Sequence, residues 1–492
     1  MSSAQPSVII IGAGFGGLAV ALQLQRAGYD RFTILEKSDT VGGVWRENTY
    51  PGAGCDIPSP LYSFSFEPKP TWPKRFSMQA DILQYLKDVA DKRGITPRIR
   101  FGSEVRSAEF DAGRWRVYTA DGVEHHADVL VNAVGQLSRP ALPNIPGIDT
   151  FTGASFHSAE WDHSVDLRGK RVAVIGTGAS AIQLVPAIQP EVETLTLFQR
   201  SPAWVVPKPD VEYKNWHHRM FTMVPPTRLA ERFAIWGFCE VMALGLVDVP
   251  AMRPMIASAG KRHLRKQVDD PSLRKVLTPD YAPGCKRALF SNEYFPALAQ
   301  PNASVVTDPI AAITPTGVRT ADGVEHEVDV IVYSTGFKTS EFLAPMSIVG
   351  RDGARLADEW RDGAHAYLGM AVPSFPNMFV MYGPNTNLGV GSIVYMLESQ
   401  ARYITELVGE LDRRPGTYFD VKADVAQRFD DELQARLGKS VWTLCSSWYR
   451  NAAGRIPNNW PGTMTAYRRR TRKPDLADYD IHSIHERRGA SR

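Results

Sequence analysis

This chain has little cysteine, little net charge and no long apolar run, and each shortage excludes something. Its four cysteines, Cys55, Cys239, Cys285 and Cys445, include no CxxC or CxxxxC pair. Their spacing therefore signals neither a metal cluster nor a redox-active disulfide, and buried free thiols are expected. A formal charge of +3 is too slight to argue for a nucleic-acid partner. The one basic run, Arg468 to Lys473 (RRRTRK), reads as a solvated surface, with phosphate or anionic-lipid binding as the minor alternative. The most apolar stretch, Phe233 to Val247, carries Glu240 inside it. It falls short of the roughly 20 residues that span a bilayer. It is expected to be core or the wall of a substrate channel, not a membrane contact. The opening MSSAQPSVIIIGAG enters a strand at once, without a basic leader. A cytoplasmic protein with no membrane partner is expected, as monomer or homodimer.

What is present is organised twice over. At 492 residues the chain is too long for one core, and 43% hydrophobic with 22% charged residues is ordinary globular composition. The β-branched run Ser7 to Ile11 enters Gly12-Ala13-Gly14-Phe15-Gly16-Gly17, a GxGxxG at Gly12, Gly14 and Gly17. The first glycine permits a tight turn, the second admits a pyrophosphate, and the third lets helix and strand pack closely. A helix to Ala27 follows, then a strand from Phe32 to Leu35 ending at Glu36, whose carboxylate can accept from ribose hydroxyls. The pattern returns at Arg171 to Ile175, which opens into Gly176-Thr177-Gly178-Ala179-Ser180-Ala181. The next strand, Thr194 to Phe198, ends in Gln199-Arg200, and Arg200 holds the offset from Gly176 that Glu36 holds from Gly12. A carboxylate would repel a ribose 2′-phosphate, whereas a guanidinium binds it. The second site should thus prefer NADPH to NADH, with Ser201 adding a hydroxyl. A repeat supports the duplication: TADGVEHHADVLVNAVG at 119–135 and TADGVEHEVDVIVYSTG at 320–336 match at eleven of 17 positions. Each reads as a DG turn, a polar arm and a buried closing strand.

Between the two units lies Phe151-x-Gly153-x-x-x-His157-x-x-x-Trp161-Asp162. This spacer resembles the fingerprint of type I Baeyer–Villiger monooxygenases. The resemblance extends to Tyr50-Pro51-Gly52-Ala53-Gly54-Cys55-Asp56, to Lys286-Arg287 after a glycine-containing loop, and to Ser334-Thr335-Gly336-Phe337. In the tail, Ser447-Trp448-Tyr449-Arg450 through Trp460-Pro461-Gly462 resembles the 4-hydroxyacetophenone monooxygenase subgroup, without its N-terminal extension. The implied fold class is α/β: two Rossmann-like dinucleotide-binding domains, for FAD and NADPH, with a helical insertion in the NADPH domain. The expected boundaries are 1–142 and 338–492 for FAD, 143–207 and 283–337 for NADPH, and 208–282 for the insertion.

The implied chemistry is hydride transfer from NADPH to FAD, then attack of a C4a-peroxyflavin on a ketone to give an ester or lactone, with sulfoxidation as a possible side activity. Arg287 is implied as the active-site cation, oriented by Asp56, which read without the family is only a turn residue. FAD contacts are expected from Gly12, Gly14, Phe15, Gly17, Glu36, Lys37, Gly43, Val44, Trp45, Asp56, Tyr62, Gln136 and Asn385. The helix after Gly383 to Gly389 is expected to aim its N-terminus at the flavin. NADPH contacts are expected from Gly176, Thr177, Gly178, Ala179, Ser180, Arg200, Ser201, Lys286, Thr335 and Gly336. Phe151, Gly153, His157 and Trp161 form the linker, with His157 as a hinge element and not a base. An N- or S-oxygenating flavin monooxygenase shares both glycine loops, but its linker motif typically ends in Tyr or Phe. A flavin disulfide reductase needs the absent cysteine pair, and a non-catalytic FAD/NADPH sensor is the remaining alternative. The aromatic-rich insertion hints at a bulky or aryl ketone.

Overall fold

A computed structural model describes residues 5–247, 252–445, 449–451 and 453–484. Ser447 and Trp448 of the tail motif lie outside the described residues. Two five-stranded parallel sheets dominate the chain. The first runs Met378–Val380, Val129–Asn132, Val8–Ile11, Phe32–Leu35, Ile99–Arg100 in spatial order. The second runs Ala303–Val306, Thr194–Phe198, Arg171–Ile175, Val330–Tyr333, Ala154–His157. The central strands are buried end to end, as the unbroken Val/Ile/Leu runs of strands covered on both faces require.

The two sheets correspond strand for strand in their order, and the repeated segments form the same turn and strand in each. Thr119 Oγ1 donates to the Val123 carbonyl at 3.0 Å, and Thr320 Oγ1 to the Val324 carbonyl at 3.1 Å. Gly122 (φ +83°) and Gly323 (φ +88°) make the turns. Asp128 accepts from the Ser7 N–H at 2.8 Å, and Asp329 from the Arg171 N–H at 2.8 Å, so each repeat fixes the start of its unit's first strand. The linker departs from the expectation of a mere spacer. Ala154–His157 is itself the edge strand of the second sheet, in the position that Met378–Val380 fills in the first. Trp161 packs edge-on to Phe156, 4.9 Å between ring centres.

The segment after Pro207 is helical as expected, with helices Asn215–Met223, Pro225–Val247, Arg253–Gln267 and Pro271–Val276. The expectation that Phe233 to Val247 is core or channel wall holds for one face of the described side chains and not for the other. Ile235 and Trp236 pack on the core and Cys239 is buried within it, but Phe233 and Phe238 face outward. The chain then returns to the first sheet. Helix Ile393–Arg413 packs along helix Phe15–Arg26, and the tail's Asn459 pairs with Asn387.

The cysteine expectation is half overturned. Cys55 and Cys239 are buried free thiols, but Cys285 and Cys445 form a disulfide. Their sequence separation is 160, so no short spacing announces the pair. Tertiary contact between the 281–287 loop and the tail brings them together.

Candidate active site

Each sheet delivers a glycine loop and a helix start at its carboxyl edge. In the first, Gly12 has φ +101°, and a Cβ there would lie 2.7 Å from the Ala133 carbonyl oxygen. A Cβ on Gly17 would strike the Gly12 carbonyl. Helix Phe15–Arg26 has Gly14 as its N-cap with no side-chain cap, leaving its first N–H groups for an anion. Gly43 (φ +55°) faces Gly14 so closely that a Cβ would come within 3.2 Å of the Gly14 Cα. Glu36 is buried and accepts from the N–H groups of Ala13 (2.7 Å) and Ser38 (3.0 Å). An uncapped helix start, two facing glycines and a buried carboxylate together fit the pyrophosphate and ribose of a dinucleotide such as FAD.

Around this loop, Phe15 packs edge-on to Tyr62 at 5.2 Å, and Trp45 Nε1 donates to Tyr62 Oη at 3.2 Å. Val44 lies in the same short helix as Trp45. Gln136 Nε2 donates to the carbonyls of Tyr382 (2.7 Å) and Gly383 (3.2 Å). Two residues point elsewhere. Lys37 turns to Glu47 at the surface, 3.3 Å away, and Asn385 donates to the tail carbonyls of Ile456 (2.6 Å) and Asn459 (3.1 Å). At helix Ile393–Arg413 the N–H of Ser392 is taken by the Met464 sulfur at 3.3 Å, so that helix start is partly closed off.

The second loop repeats the geometry. Gly176 has φ +114°, and helix Ala179–Ile188 starts from Gly178, again without a side-chain cap. Thr177 Oγ1 donates to the Ser201 carbonyl at 2.8 Å. Arg200 is exposed at the end of its strand. Lys286 Nζ donates to Ser201 Oγ at 2.8 Å and lies 4.6 Å from the centre of the Tyr281 ring. Burial first, and then Arg200, push the Lys286 pKa below its ordinary value. Two cations and a hydroxyl in one corner are what a dianionic 2′-phosphate would need, so the residues fit NADPH. Thr335 Oγ1 donates to the Ala141 carbonyl at 2.6 Å, and Gly336 (φ +85°) turns the chain where it crosses back.

Between the two loops Asp56 and Arg287 meet. Arg287 Nη2 lies 2.9 Å from each carboxylate oxygen. The Asp56 charge lifts the Arg287 pKa further above its ordinary value, against the opposing effect of burial. The pair sits in a recess: it is enclosed by protein, yet 34% of the Arg287 side chain remains open to water. Tyr382, Tyr449 and Cys55 surround it. Burial raises the pKa of all three, so these neighbours stay neutral and Arg287 keeps a fixed charge. The tie between Cys285 and Cys445 holds the loop two residues upstream of Arg287.

Sequence reasoning missed the contacts that hold this arrangement. Gln183 Oε1 accepts from Tyr50 Oη (2.9 Å) and the Gly54 N–H (3.2 Å), while its Nε2 donates to the Gly54 carbonyl (3.0 Å). Ser180, in the first turn of the same helix, lies beside Tyr50. The loop that carries Asp56 is thereby fastened to the helix of the second unit. Tyr382 Oη donates to Asn387 Oδ1 at 2.7 Å. His157 is buried, its Nδ1 accepts from the Ala159 N–H at 3.1 Å, and its ring meets Phe337 at 5.6 Å. Burial lowers its pKa. A neutral, enclosed ring suits a packing element of the linker. Phe151 shields Gly153, where a Cβ would strike the Asp329 carbonyl.

Comparison with known proteins gives the same answer from outside. A family model of pyridine nucleotide-disulphide oxidoreductases matches residues 9–224. A Baeyer-Villiger monooxygenase of Streptomyces coelicolor is 44% identical over 96% of this chain and 92% of its own length. One from Pseudomonas aeruginosa is 42% identical over 96% and 91%. Among solved structures, an oxidized steroid monooxygenase bound to NADP superimposes with a TM-score of 0.86 at 31% identity, covering 98% of this chain and all of that one. OTEMO in complex with FAD and NADP gives a TM-score of 0.88 at 26% identity, over 97% of this chain and all of that one.

Proposed function

Because this chain belongs to the type I Baeyer–Villiger monooxygenases, FAD- and NADPH-dependent enzymes that turn ketones into esters or lactones, we propose that Arg287 and Asp56 are the pair that carries the reaction. The observation behind this is the contact between Asp56 and Arg287 across the two nucleotide-binding units, ringed by neutral phenols and a thiol. Bound FAD would accept a hydride from NADPH and activate O2. The protein's part is electrostatic. Arg287 supplies a positive charge that does not titrate away, placed where oxygen atoms carry negative charge during attack on a carbonyl. Asp56 aims the guanidinium and keeps it in the recess. The neutral phenols and thiol around it add no competing charge, and the partial enclosure lets the guanidinium act at higher strength than in bulk solvent.

The nucleotide contacts are assigned on the same footing. Gly12, Gly14, Gly17, Glu36, Gly43, Val44 and Trp45 would hold FAD, with Phe15, Tyr62 and Gln136 behind them. Gly176, Thr177, Gly178, Ala179, Ser180, Arg200, Ser201 and Lys286 would hold NADPH. The sheets support an FAD unit from 1–142 and 338–492 and an NADPH unit from 143–207 and 283–337, with 208–282 inserted.

The test is Arg287→Ala. Loss of one such stabilising group should cost about 10²- to 10³-fold in ester formation. Anaerobic bleaching of the flavin by NADPH should continue. Ester at the wild-type rate, quantified by mass across small cyclic, aryl and steroidal ketones, would end the assignment.

A further inference from the structure

The helix Pro225–Val247 is inverted relative to an ordinary surface helix. Its outward face carries Leu229 (58% exposed), Phe233 (68%), Phe238 (57%), Val241 (56%) and Leu244 (40%). Its acids and one of its arginines turn inward. Glu231 accepts from Tyr213 Oη at 2.6 Å, Arg232 donates to the Ser63 carbonyl at 3.1 Å, and Glu240 accepts from the Thr465 N–H at 3.2 Å. Isolated exposed apolar residues need no explanation, but a continuous apolar stripe along several helical turns marks a surface that something covers.

The neighbouring helices supply the border. On Asn215–Met223, Trp216 (58%), Arg219 and Met223 (78%) share one exposed face, spaced three and four residues apart. On Arg253–Gln267, Met255 (69%) is followed on the same exposed side by Arg262 and Lys266. Helix Met464–Arg470 begins where Glu240 receives Thr465, and the basic run continues from it with exposed Arg469, Arg472 and Lys473. Arg232 and Arg468 are close enough to influence each other's charge.

We propose that this face docks on an anionic phospholipid surface, with helix Pro225–Val247 lying in the plane of the interface and the basic border over the headgroups. An apolar stripe flanked by Arg and Lys is the composition that binds such an interface without crossing it. No described helix is long and apolar enough to cross a membrane. Charge selects the occupant: a second copy related by a two-fold axis would bring two basic borders against each other, whereas anionic headgroups complement them. Such docking departs from the expectation of no membrane partner. The docking does not depend on the reaction. Given the proposed reaction, however, it has a use: the inner side of the same helix (Ile235, Trp236) packs on the core that holds Cys285 and Tyr449. A lipid-dissolved apolar ketone would then be concentrated at this face of the enzyme.

The experiment is flotation of the FAD-loaded full chain with phosphatidylglycerol–phosphatidylcholine vesicles and with pure phosphatidylcholine vesicles. Binding is expected to the anionic vesicles only, weakened by salt, and about fivefold weaker for each basic residue removed in Arg469→Gln and Lys473→Gln. Phe233→Ser with Val241→Ser should abolish it while flavin content and melting temperature hold, because both side chains point outward. Failure to float, binding indifferent to vesicle charge, or binding that survives the double Ser change overturns the proposal. So does a concentration-dependent dimer in sedimentation that the same double change dissolves.

Discussion

The corner of Arg200, Ser201 and Lys286 should decide between NADPH and NADH, and its weight follows from its geometry. Lys286 Nζ is already held 2.8 Å from Ser201 Oγ, so little reorganisation separates it from a phosphate oxygen. Lys286→Ala removes one charge-assisted hydrogen bond, about 1.5–3 kcal/mol. That corresponds to a rise of about 10- to 150-fold in the KM for NADPH. NADH lacks the phosphate, and its KM should not move. Arg200→Ala should act in the same direction with similar size, and the double change should erase the preference. The pH dependence has a definite sign. Burial and Arg200 depress the free-enzyme Lys286 pKa below 10.5, whereas a bound dianion would raise it. NADPH binding then takes up a proton, and its KM climbs as pH rises through the free-enzyme pKa while that for NADH stays level. Lys286→Arg should flatten the climb, because guanidinium keeps its proton. Steady-state rates with both nucleotides across pH, with calorimetric titration of NADP+, measure each quantity. Equal changes for both nucleotides would refute the assignment.

Other consequences are simpler. Reduction of the Cys285–Cys445 disulfide, or Cys285→Ser with Cys445→Ser, opens a 160-residue loop. The chain-entropy bound is about 5 kcal/mol, so the melting temperature should fall, and an unchanged melt would show that the bond contributes nothing. Gly17→Ala would drive a methyl group into the Gly12 carbonyl, so the purified protein should carry little FAD, read as flavin absorbance per chain. His157 is held below its ordinary pKa of 6.5 by burial, so its contribution to stability is present above pH 6.5 and is lost as pH falls through the lower folded value. His157→Gln should make the melting temperature less steep in pH below 6.5; a slope as steep as that of the wild type argues against it. Gln183→Ala removes the clamp on Gly54 and should slow ester formation by misplacing Asp56, with flavin content preserved.

What could be read from the residues was local or repeated. The glycine loops announced themselves because their requirements are met within a few residues, and the matching offsets of Glu36 and Arg200 separated the two nucleotide sites. The duplicated hairpin was legible because both copies keep the Thr-Asp-Gly turn and the aspartate that fixes the first strand. Asp56 and Arg287 are 231 residues apart, and only family resemblance joined them in advance. Contacts between distant segments left no such mark: the disulfide, Gln183 on Gly54, and the edge strand Ala154–His157, whose four residues are too few for a period. The Phe233 to Val247 stretch was only half legible for another reason. Apolar spacing gives a helix a face but does not say whether protein covers it, and here the charged positions are the ones turned inward.

The first sheet cannot be completed by the first part of the chain. Its outer strand, Met378–Val380, and the helix Ile393–Arg413 that packs along Phe15–Arg26 come after the whole of the second sheet. During synthesis the amino-terminal strands must therefore wait, with one flank of Val129–Asn132 open, while residues 154–333 emerge and close upon themselves. At about 5–20 residues per second that wait lasts on the order of ten to fifty seconds. The half translated first is the half finished last. Ribosome-bound chains halted near residue 375, with residue 333 clear of the exit tunnel, should resist protease in the later unit and yield in the earlier one; the opposite pattern would show that the open flank needs no partner.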